Sequence, residues 1–169
     1  LPAPVTGSSS VCVGSSITLS SATTGGTWST TGTFVTIGSV SGIVTGVNPG
    51  VATIAYTLGT GCRVTTGVTV NPLPAAIAGA ASGCVGATLL FTDATLGGTW
   101  ISSNTSIADI GSTTGLITGI ASGAATITYQ LGTGCFVTRS VTIYPIPSAI
   151  VGATQVCVGQ TTILADGTP

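Results

Sequence analysis

The stretch Ser112–Cys135, "STTGLITGIASGAATITYQLGTGC", decides the fold, and a variant of it stands earlier in the chain at Gly38–Cys62, "GSVSGIVTGVNPGVATIAYTLGTGC". Each copy contains a run in which apolar and polar residues alternate, "AATITYQL" and "VATIAYTL". A period of two is typical of a strand that is buried on one face. The residues that this pattern predicts on the inner face are Ala52, Ile54, Tyr56, Leu58, Ile127, Tyr129 and Leu131.

Other motifs recur along the chain at a spacing of 72 or 73 residues. The motif "VCVG" around Cys12 returns as "GCVG" around Cys84 and as "VCVG" around Cys157. Internal repeats of this kind indicate serial copies of one structural unit. The third copy is too short to fold alone, so we expect a longer chain or a neighbouring molecule to complete it. The predicted domains are repeat 1 at residues 1–72, repeat 2 at residues 73–145 and the first strands of an incomplete third repeat at residues 146–169.

The pattern of short runs and turns predicts an all-β fold of tandem immunoglobulin-like β-sandwiches, with about seven short strands each. Thr, Val and Ile favour strands throughout, and Gly-rich or Asn-Pro turns separate them. Trp28 and Trp100 follow a Gly-Gly turn at the same place in each repeat. A stacking platform for sugar is one interpretation, but sandwiches bury an aromatic residue at this place. We therefore predict that both tryptophans are core residues. The further predicted inward residues are Ile17, Leu19, Leu89 and Phe91.

One strand carries a charge where its pattern predicts burial. In "CFVTRSVTI", Arg139 shares its parity with the apolar residues Val137, Val141 and Ile143. An unpaired arginine is costly to bury. The sequence therefore predicts a bulge or an edge position at this arginine, whose equivalent in repeat 1 is Thr66.

Charged residues make up only 3% of the chain, where about 25% is usual. Two arginines cannot form a basic face for nucleic acid, and three scattered aspartates without histidine cannot form a metal site. No cofactor is expected. No apolar run approaches the ~18–20 residues of a membrane span, and "LPAPVTG" at the start shows no signal peptide, which favours a mature or internal segment.

The low charge also bears on partners, because a near-zero net charge favours association. The net charge is −1 at pH 7. We expect the surface to be covered by other copies of the chain or by further repeats, or to be hidden by O-glycans on the many Ser and Thr residues.

The five cysteines, Cys12, Cys62, Cys84, Cys135 and Cys157, are predicted to form disulfides. One pairing stays within a repeat, Cys12 to Cys62 and Cys84 to Cys135. It leaves Cys157 for a partner beyond Pro169. The other pairing joins Cys12 of repeat 1 to Cys135 of repeat 2. Cys12 and Cys62 are expected at opposite ends of a sandwich. About six or seven strand residues separate those ends, and each residue adds ~3.3 Å of length. That exceeds the ~4.4–6.8 Å between Cα atoms in a disulfide, so the Cys12–Cys135 pairing is favoured, although both stay open.

Two long runs resemble a known family. "GSVSGIVTGVNPGVATIAY" and "GSTTGLITGIASGAATITY" resemble the C-terminal half of bacterial immunoglobulin-like domains of group 2, the tandem modules of invasin- and intimin-type surface proteins. "GTWSTT" and "GTWISSNTSIADI" resemble the Trp-Ser-Ser segment of that family. The "IxGxxxVCVG" opening is similar to modules of giant surface and secreted proteins of Bacteroidota-type bacteria. The resemblance implies spacers or stalks without catalytic residues, although typical members carry more charge.

Together these observations favour a structural repeat segment of an extracellular bacterial filament, stalk or matrix fibre, secreted or held at the cell surface and stabilised by disulfides. The alternative is an adhesin module that binds a carbohydrate or a receptor. For that role, Phe136 and Tyr144 are the aromatic candidates outside the inward parity. An enzyme is not expected, because the chain has no His, Glu or Lys and therefore lacks the parts of acid–base and nucleophilic schemes.

Overall fold

The computed structural model describes residues 1–167 as strands, turns and loops, with no helix among them. The predicted all-β, immunoglobulin-like fold is confirmed. Thr168 and Pro169, the last residues of the predicted third repeat, lie outside the described residues. The strands are β1 (Val5–Thr6), β2 (Ser10–Cys12), β3 (Ser16–Thr18), β4 (Ser20–Ser21), β5 (Gly26–Thr31), β6 (Val35–Ile37), β7 (Ile43–Gly46), β8 (Gly50–Leu58), β9 (Arg63–Asn71), β10 (Ser82–Cys84), β11 (Thr88–Leu90), β12 (Gly98–Ser102), β13 (Ala108–Ile110), β14 (Leu116–Gly119), β15 (Gly123–Leu131), β16 (Phe136–Tyr144), β17 (Val151–Gly152) and β18 (Leu164–Ala165).

The strands from β2 to β9, except β4, form two sheets. The four-stranded sheet has the order β2-β9-β8-β5, and the three-stranded sheet has the order β3-β7-β6. Neighbouring strands are antiparallel except for β2, which runs parallel to β9 and places Cys12 opposite Asn71. Strands β1 and β4 form a separate antiparallel pair. The tight turn after β8, in which the Gly61 amide donates to the Leu58 carbonyl at 2.9 Å, lets β9 return directly beside β8.

Strands β10 to β16 have the same strand order in their two sheets. The four-stranded sheet is β10-β16-β15-β12, and the three-stranded sheet is β11-β14-β13. Strand β10 runs parallel to β16, with Cys84 opposite Tyr144. The recurrence of the motifs along the sequence therefore corresponds to a recurrence of strand order, and in both four-stranded sheets the first strand runs parallel to its neighbour.

The alternation of residue types is confirmed as an alternation of burial. Along β8 the buried residues are Ala52, Ile54 and Tyr56, and Leu58 at the end of the strand is half-buried. Burying an aliphatic or aromatic side chain of this size contributes about 1.5–3 kcal/mol. The buried core between the first two sheets consists of Val11, Leu19, Trp28, Val35, Val44, Ala52, Ile54, Tyr56, Val68 and Val70. The corresponding buried residues of the later sheets include Phe91, Trp100, Ala108, Ile117, Ala125, Ile127, Tyr129, Val141 and Ile143.

By its contacts the chain divides into two compact units. The first contains residues 1–76 together with residues 93–99 and 129–137. The second contains residues 77–92 and 100–128 and continues from residue 138. The predicted division of the sequence into residues 1–72, 73–145 and 146–169 stays a prediction.

Residues 146–167 contain only the two short strands β17 and β18, which pair with each other in antiparallel fashion. Every residue in this range is exposed. Its apolar side chains include Ile150, Val158 and Ile163, which are all strongly exposed. The segment therefore has the apolar residues of a strand pair without a core of its own to bury them.

Each Gly-Gly pair ahead of a tryptophan is explained by a tyrosine on the neighbouring strand. The Gly26 amide donates to the Tyr56 hydroxyl at 2.9 Å, and this hydroxyl donates to the Thr23 carbonyl at 2.8 Å. A Cβ atom at Gly26 would lie 2.5 Å from the ring atom Cζ of Tyr56. Gly25 has a φ of +82°, which favours glycine. Gly98 and Tyr129 repeat the amide contact at 2.9 Å.

We expect Gly26→Ala to lower the free energy of unfolding by about 1–3 kcal/mol, because the added methyl group overpacks the tyrosine ring and forces it from its hydrogen bonds. Urea-induced unfolding followed by circular dichroism measures the change. Gly59→Ala is the matched control, since a Cβ atom there meets nothing within 4 Å. If both variants unfold at the same urea concentration, the Tyr56 ring does not require a glycine at position 26.

Candidate functional site

The structure contains a disulfide between Cys12 and Cys135, with 5.7 Å between their Cα atoms. Of the two pairings that the sequence leaves open, this is the one favoured by the strand geometry. Both cysteines belong to the first compact unit. Cys62, Cys84 and Cys157 are exposed free thiols in the structure, and their predicted disulfides stay predictions.

Backbone hydrogen bonds hold both ends of the disulfide. Cys12 ends strand β2, and its carbonyl accepts the Ser15 amide at 3.0 Å, which closes a tight turn. Cys135 follows the turn between β15 and β16, and its carbonyl accepts the Leu131 amide at 2.9 Å. Cys135 is only 1% exposed. The bond therefore joins two short turns whose backbones are already fixed.

A groove of about 250 Å³ lies beside the disulfide within the first compact unit. Phe136 is its largest side chain and is 53% exposed. The lining offers apolar surface and one hydroxyl, without a carboxylate, an amine or a guanidinium. Such a groove can hold an apolar or neutral group, but it supplies no acid or base. Its lining residues are Cys12, Val13, Gly14, Ser15, Leu73 and Phe136.

The two tryptophans are core residues, as predicted. Trp28 and Trp100 are each 6% exposed, which excludes them as open platforms for a sugar ring. The ring centroid of Trp28 lies 4.6 Å from that of Tyr56, and the centroid of Trp100 lies 6.5 Å from that of Phe91. Tilted pairs at these distances stabilise a core beyond the area that they bury.

Arg139 keeps its inward parity and is half-buried on β16. Its Nη1 atom donates to the Ile77 carbonyl at 2.6 Å, and its guanidinium lies 5.3 Å from the centroid of the Phe91 ring. Strand β10 pairs only with residues 142–144 of β16, so Arg139 lies outside the part of β16 that β10 covers. The predicted edge position agrees with this arrangement, and the carbonyl and the ring compensate the charge.

No three His, Cys, Asp or Glu side chains of residues 1–167 come together in a group that could hold a metal ion. The same part of the chain buries no polar or charged residue in its cores. Residues 1–167 contain no helix that could cross a membrane.

Several solved structures are similar to this chain at low sequence identity. The C-terminal 282-residue fragment of intimin, solved with the intimin-binding domain of its translocated receptor, is 15% identical, with a TM-score of 0.56 over 90% of this chain. The chain spans 66% of that fragment, just under two thirds. Domains 4 and 5 of the S-layer protein SbsC are 22% identical (TM-score 0.34; 76% of this chain, 82% of theirs). Drosophila N-cadherin EC1-4 is 12% identical (TM-score 0.36; 85% and 49%).

The intimin fragment supports the fold alone, because its sequence identity to this chain is low. No curated protein sequence matches the chain. Residues 64–142 match the family described as bacterial Ig-like domain (group 2). The resemblance to bacterial Ig-like domains of group 2 that was drawn from the sequence is therefore confirmed for residues 64–142.

Proposed function

We propose that the chain is a structural repeat segment of an extracellular bacterial filament, stalk or matrix fibre. The observation that carries this proposal is the Cys12–Cys135 disulfide, which joins two motifs that recur along the sequence. Disulfides persist in oxidising surroundings such as the cell surface and the secreted space. A covalent bond between recurring motifs suits a structural protein that must keep its shape under mechanical load.

The proposed partners are further copies of the chain or further repeats, together with O-glycans on exposed Ser and Thr. The support comes from the surface, where apolar side chains such as Val51 on β8 and Ile101 on β12 are exposed among Ser and Thr. Charged residues that normally keep strand edges apart make up only 3% of the chain. Such a surface favours association with a like surface.

Immunogold electron microscopy of intact, non-permeabilised cells of the source organism tests this function. An antibody raised against residues 1–167 is expected to label extracellular fibres or the cell envelope, with gold particles in rows along each fibre. Labelling that appears only after the cells are opened would overturn an extracellular structural role. Pre-absorption of the antibody with the purified chain is the control for specificity.

The second candidate function is an adhesin module, and the exposed Phe136 favours it. This ring and Leu73 flank the groove beside the disulfide, and aromatic rings at such sites bind neutral ligands such as sugars. A glycan array probed with the chain and with Phe136→Ala distinguishes the two functions. Binding that the variant loses supports the adhesin, whereas an array without binding leaves the structural role as the better account.

A further inference from the structure

Two of the free cysteines occupy backbone positions that match the two ends of the existing disulfide. Cys84 matches Cys12, because each ends a three-residue strand at the edge of a four-stranded sheet. Each of these strands runs parallel to its neighbour, which is β9 for Cys12 and β16 for Cys84. In these pairs Cys12 lies opposite Asn71 on β9, and Cys84 lies opposite Tyr144 on β16.

The hydrogen bonds around Cys84 repeat those around Cys12. The amide after each cysteine donates to the carbonyl of the residue opposite, at 3.1 Å for Val13 and 2.9 Å for Val85. The carbonyl of each cysteine accepts the amide three residues later, at 3.0 Å in both cases. The backbone at Cys84 is therefore held in the same way as the backbone at Cys12, which forms the disulfide with Cys135.

Cys62 matches Cys135 in the same manner. Both end the sequence "LGTGC". The Leu58 amide donates to the Cys62 carbonyl at 2.9 Å, as the Leu131 amide does to that of Cys135. The glycine before each cysteine donates to the leucine carbonyl, also at 2.9 Å in both turns. The two turns differ in exposure, since Cys62 is exposed and Cys135 is buried.

We propose that Cys84 of one copy of the chain forms a disulfide with Cys62 of a second copy, in the manner of the Cys12–Cys135 bond. One chain carries one complete pair and two exposed, complementary halves of a second pair. Cys84 is exposed in the presence of residues 146–167, so this segment leaves the thiol open. The inference rests on the proposed self-association and adds the residues that make it covalent.

The bond forms by thiol–disulfide exchange with a small-molecule disulfide, for which oxidised glutathione is the probe. The thiolate of Cys84 attacks one glutathione sulfur, which breaks the glutathione S–S bond and releases one glutathione thiolate. The sulfur of Cys62 from the second copy then attacks the mixed disulfide at Cys84 and releases the second glutathione. Two cysteine thiols are oxidised, one glutathione disulfide is reduced to two thiols, and both protons pass to the released thiolates.

Complementary variants test the proposal in the full chain. In a Cys157→Ser background, Cys62→Ser keeps only the Cys84 half and Cys84→Ser keeps only the Cys62 half. After incubation in a glutathione redox buffer, each variant alone is expected to give little covalent dimer on a non-reducing gel. An equal mixture is expected to give about tenfold more covalent dimer than either variant alone, because only the mixture contains both halves. Peptide mapping of the dimer should find Cys62 linked to Cys84.

Equal dimer in the mixture and in the separate variants would overturn the proposal, as would a map that links like cysteines. Circular dichroism before oxidation confirms that both variants are folded. Sedimentation of the Cys62→Ser/Cys84→Ser/Cys157→Ser variant separates this inference from the proposed function. If the triple variant associates but the mixture of the two other variants gives no covalent dimer, only the disulfide is rejected. If neither association nor covalent dimer is found, self-association is rejected as well.

Discussion

Replacing Cys12 and Cys135 together by serine is expected to lower the free energy of unfolding by up to about 5 kcal/mol. The two cysteines are 123 residues apart in the sequence, so their bond removes a large loop-closure entropy from the unfolded chain. Changing both residues avoids leaving one buried thiol without its partner. Urea-induced unfolding followed by far-UV circular dichroism measures the loss.

The double variant Cys62→Ser/Cys84→Ser is the matched control, since it removes the same number of cysteines from exposed positions. Its stability should stay within about 0.5 kcal/mol of that of the parent, as is usual for surface changes. Dithiothreitol should lower the stability of the control and the parent alike, and should have no effect on Cys12→Ser/Cys135→Ser. If both double variants unfold at the same urea concentration, the Cys12–Cys135 bond does not stabilise the protein.

Trp100→Ala is expected to cost about 3–5 kcal/mol, the usual range for removing a large aromatic side chain from a core. The indole is buried beside Phe91 between sheets that are only four and three strands wide. A small core has little means to close the resulting cavity. Trp28→Ala should have a similar effect, because Trp28 is equally buried and packs on Tyr56.

Tyr144→Ala is the control for the tryptophan variants, because this aromatic residue ends β16 and is 55% exposed. It should lower the stability by less than about 1 kcal/mol. Differential scanning calorimetry measures all three variants without using tryptophan as the probe. A tryptophan variant as stable as Tyr144→Ala would contradict the assignment of Trp28 and Trp100 to the cores.

The faces of the strands could be predicted from the sequence, because a side-chain period of two is a local property. The alternation in "VATIAYTL" placed Ile54 and Tyr56 inside, and both are buried. Leu19 and Phe91 were placed inside by the same rule and are also buried. The tryptophans followed from their recurrence at one place in the strand pattern, which is also visible in the sequence.

The pairing of the strands could not be predicted in the same way. Periodicity determines which face of β2 is buried, but it does not indicate that β2 runs parallel to β9. The contact between Gly26 and the Tyr56 ring was missed for the same reason, since it joins residues on different strands. A useful signal was present in the chain, because a Gly-Gly pair and a tyrosine recur together in both copies.

The disulfide pairing could be predicted only in part. The length of a strand argued against a bond between Cys12 and Cys62, but it could not decide for Cys135. The deciding information is the approach of two turns within the first compact unit, which depends on tertiary packing. The inward arginine at position 139 was recognised as an anomaly, whereas its compensation by the Ile77 carbonyl required the folded structure.

The central claim is that this chain is a structural segment whose copies associate, and sedimentation velocity tests it most directly. The Cys62→Ser/Cys84→Ser/Cys157→Ser variant keeps the Cys12–Cys135 disulfide and removes covalent cross-linking from the measurement. Its sedimentation coefficient is expected to rise with protein concentration, and residues 146–167 should become resistant to protease as the copies associate. A monomer whose sedimentation coefficient is unchanged up to high concentration, with residues 146–167 open to protease throughout, would contradict the claim.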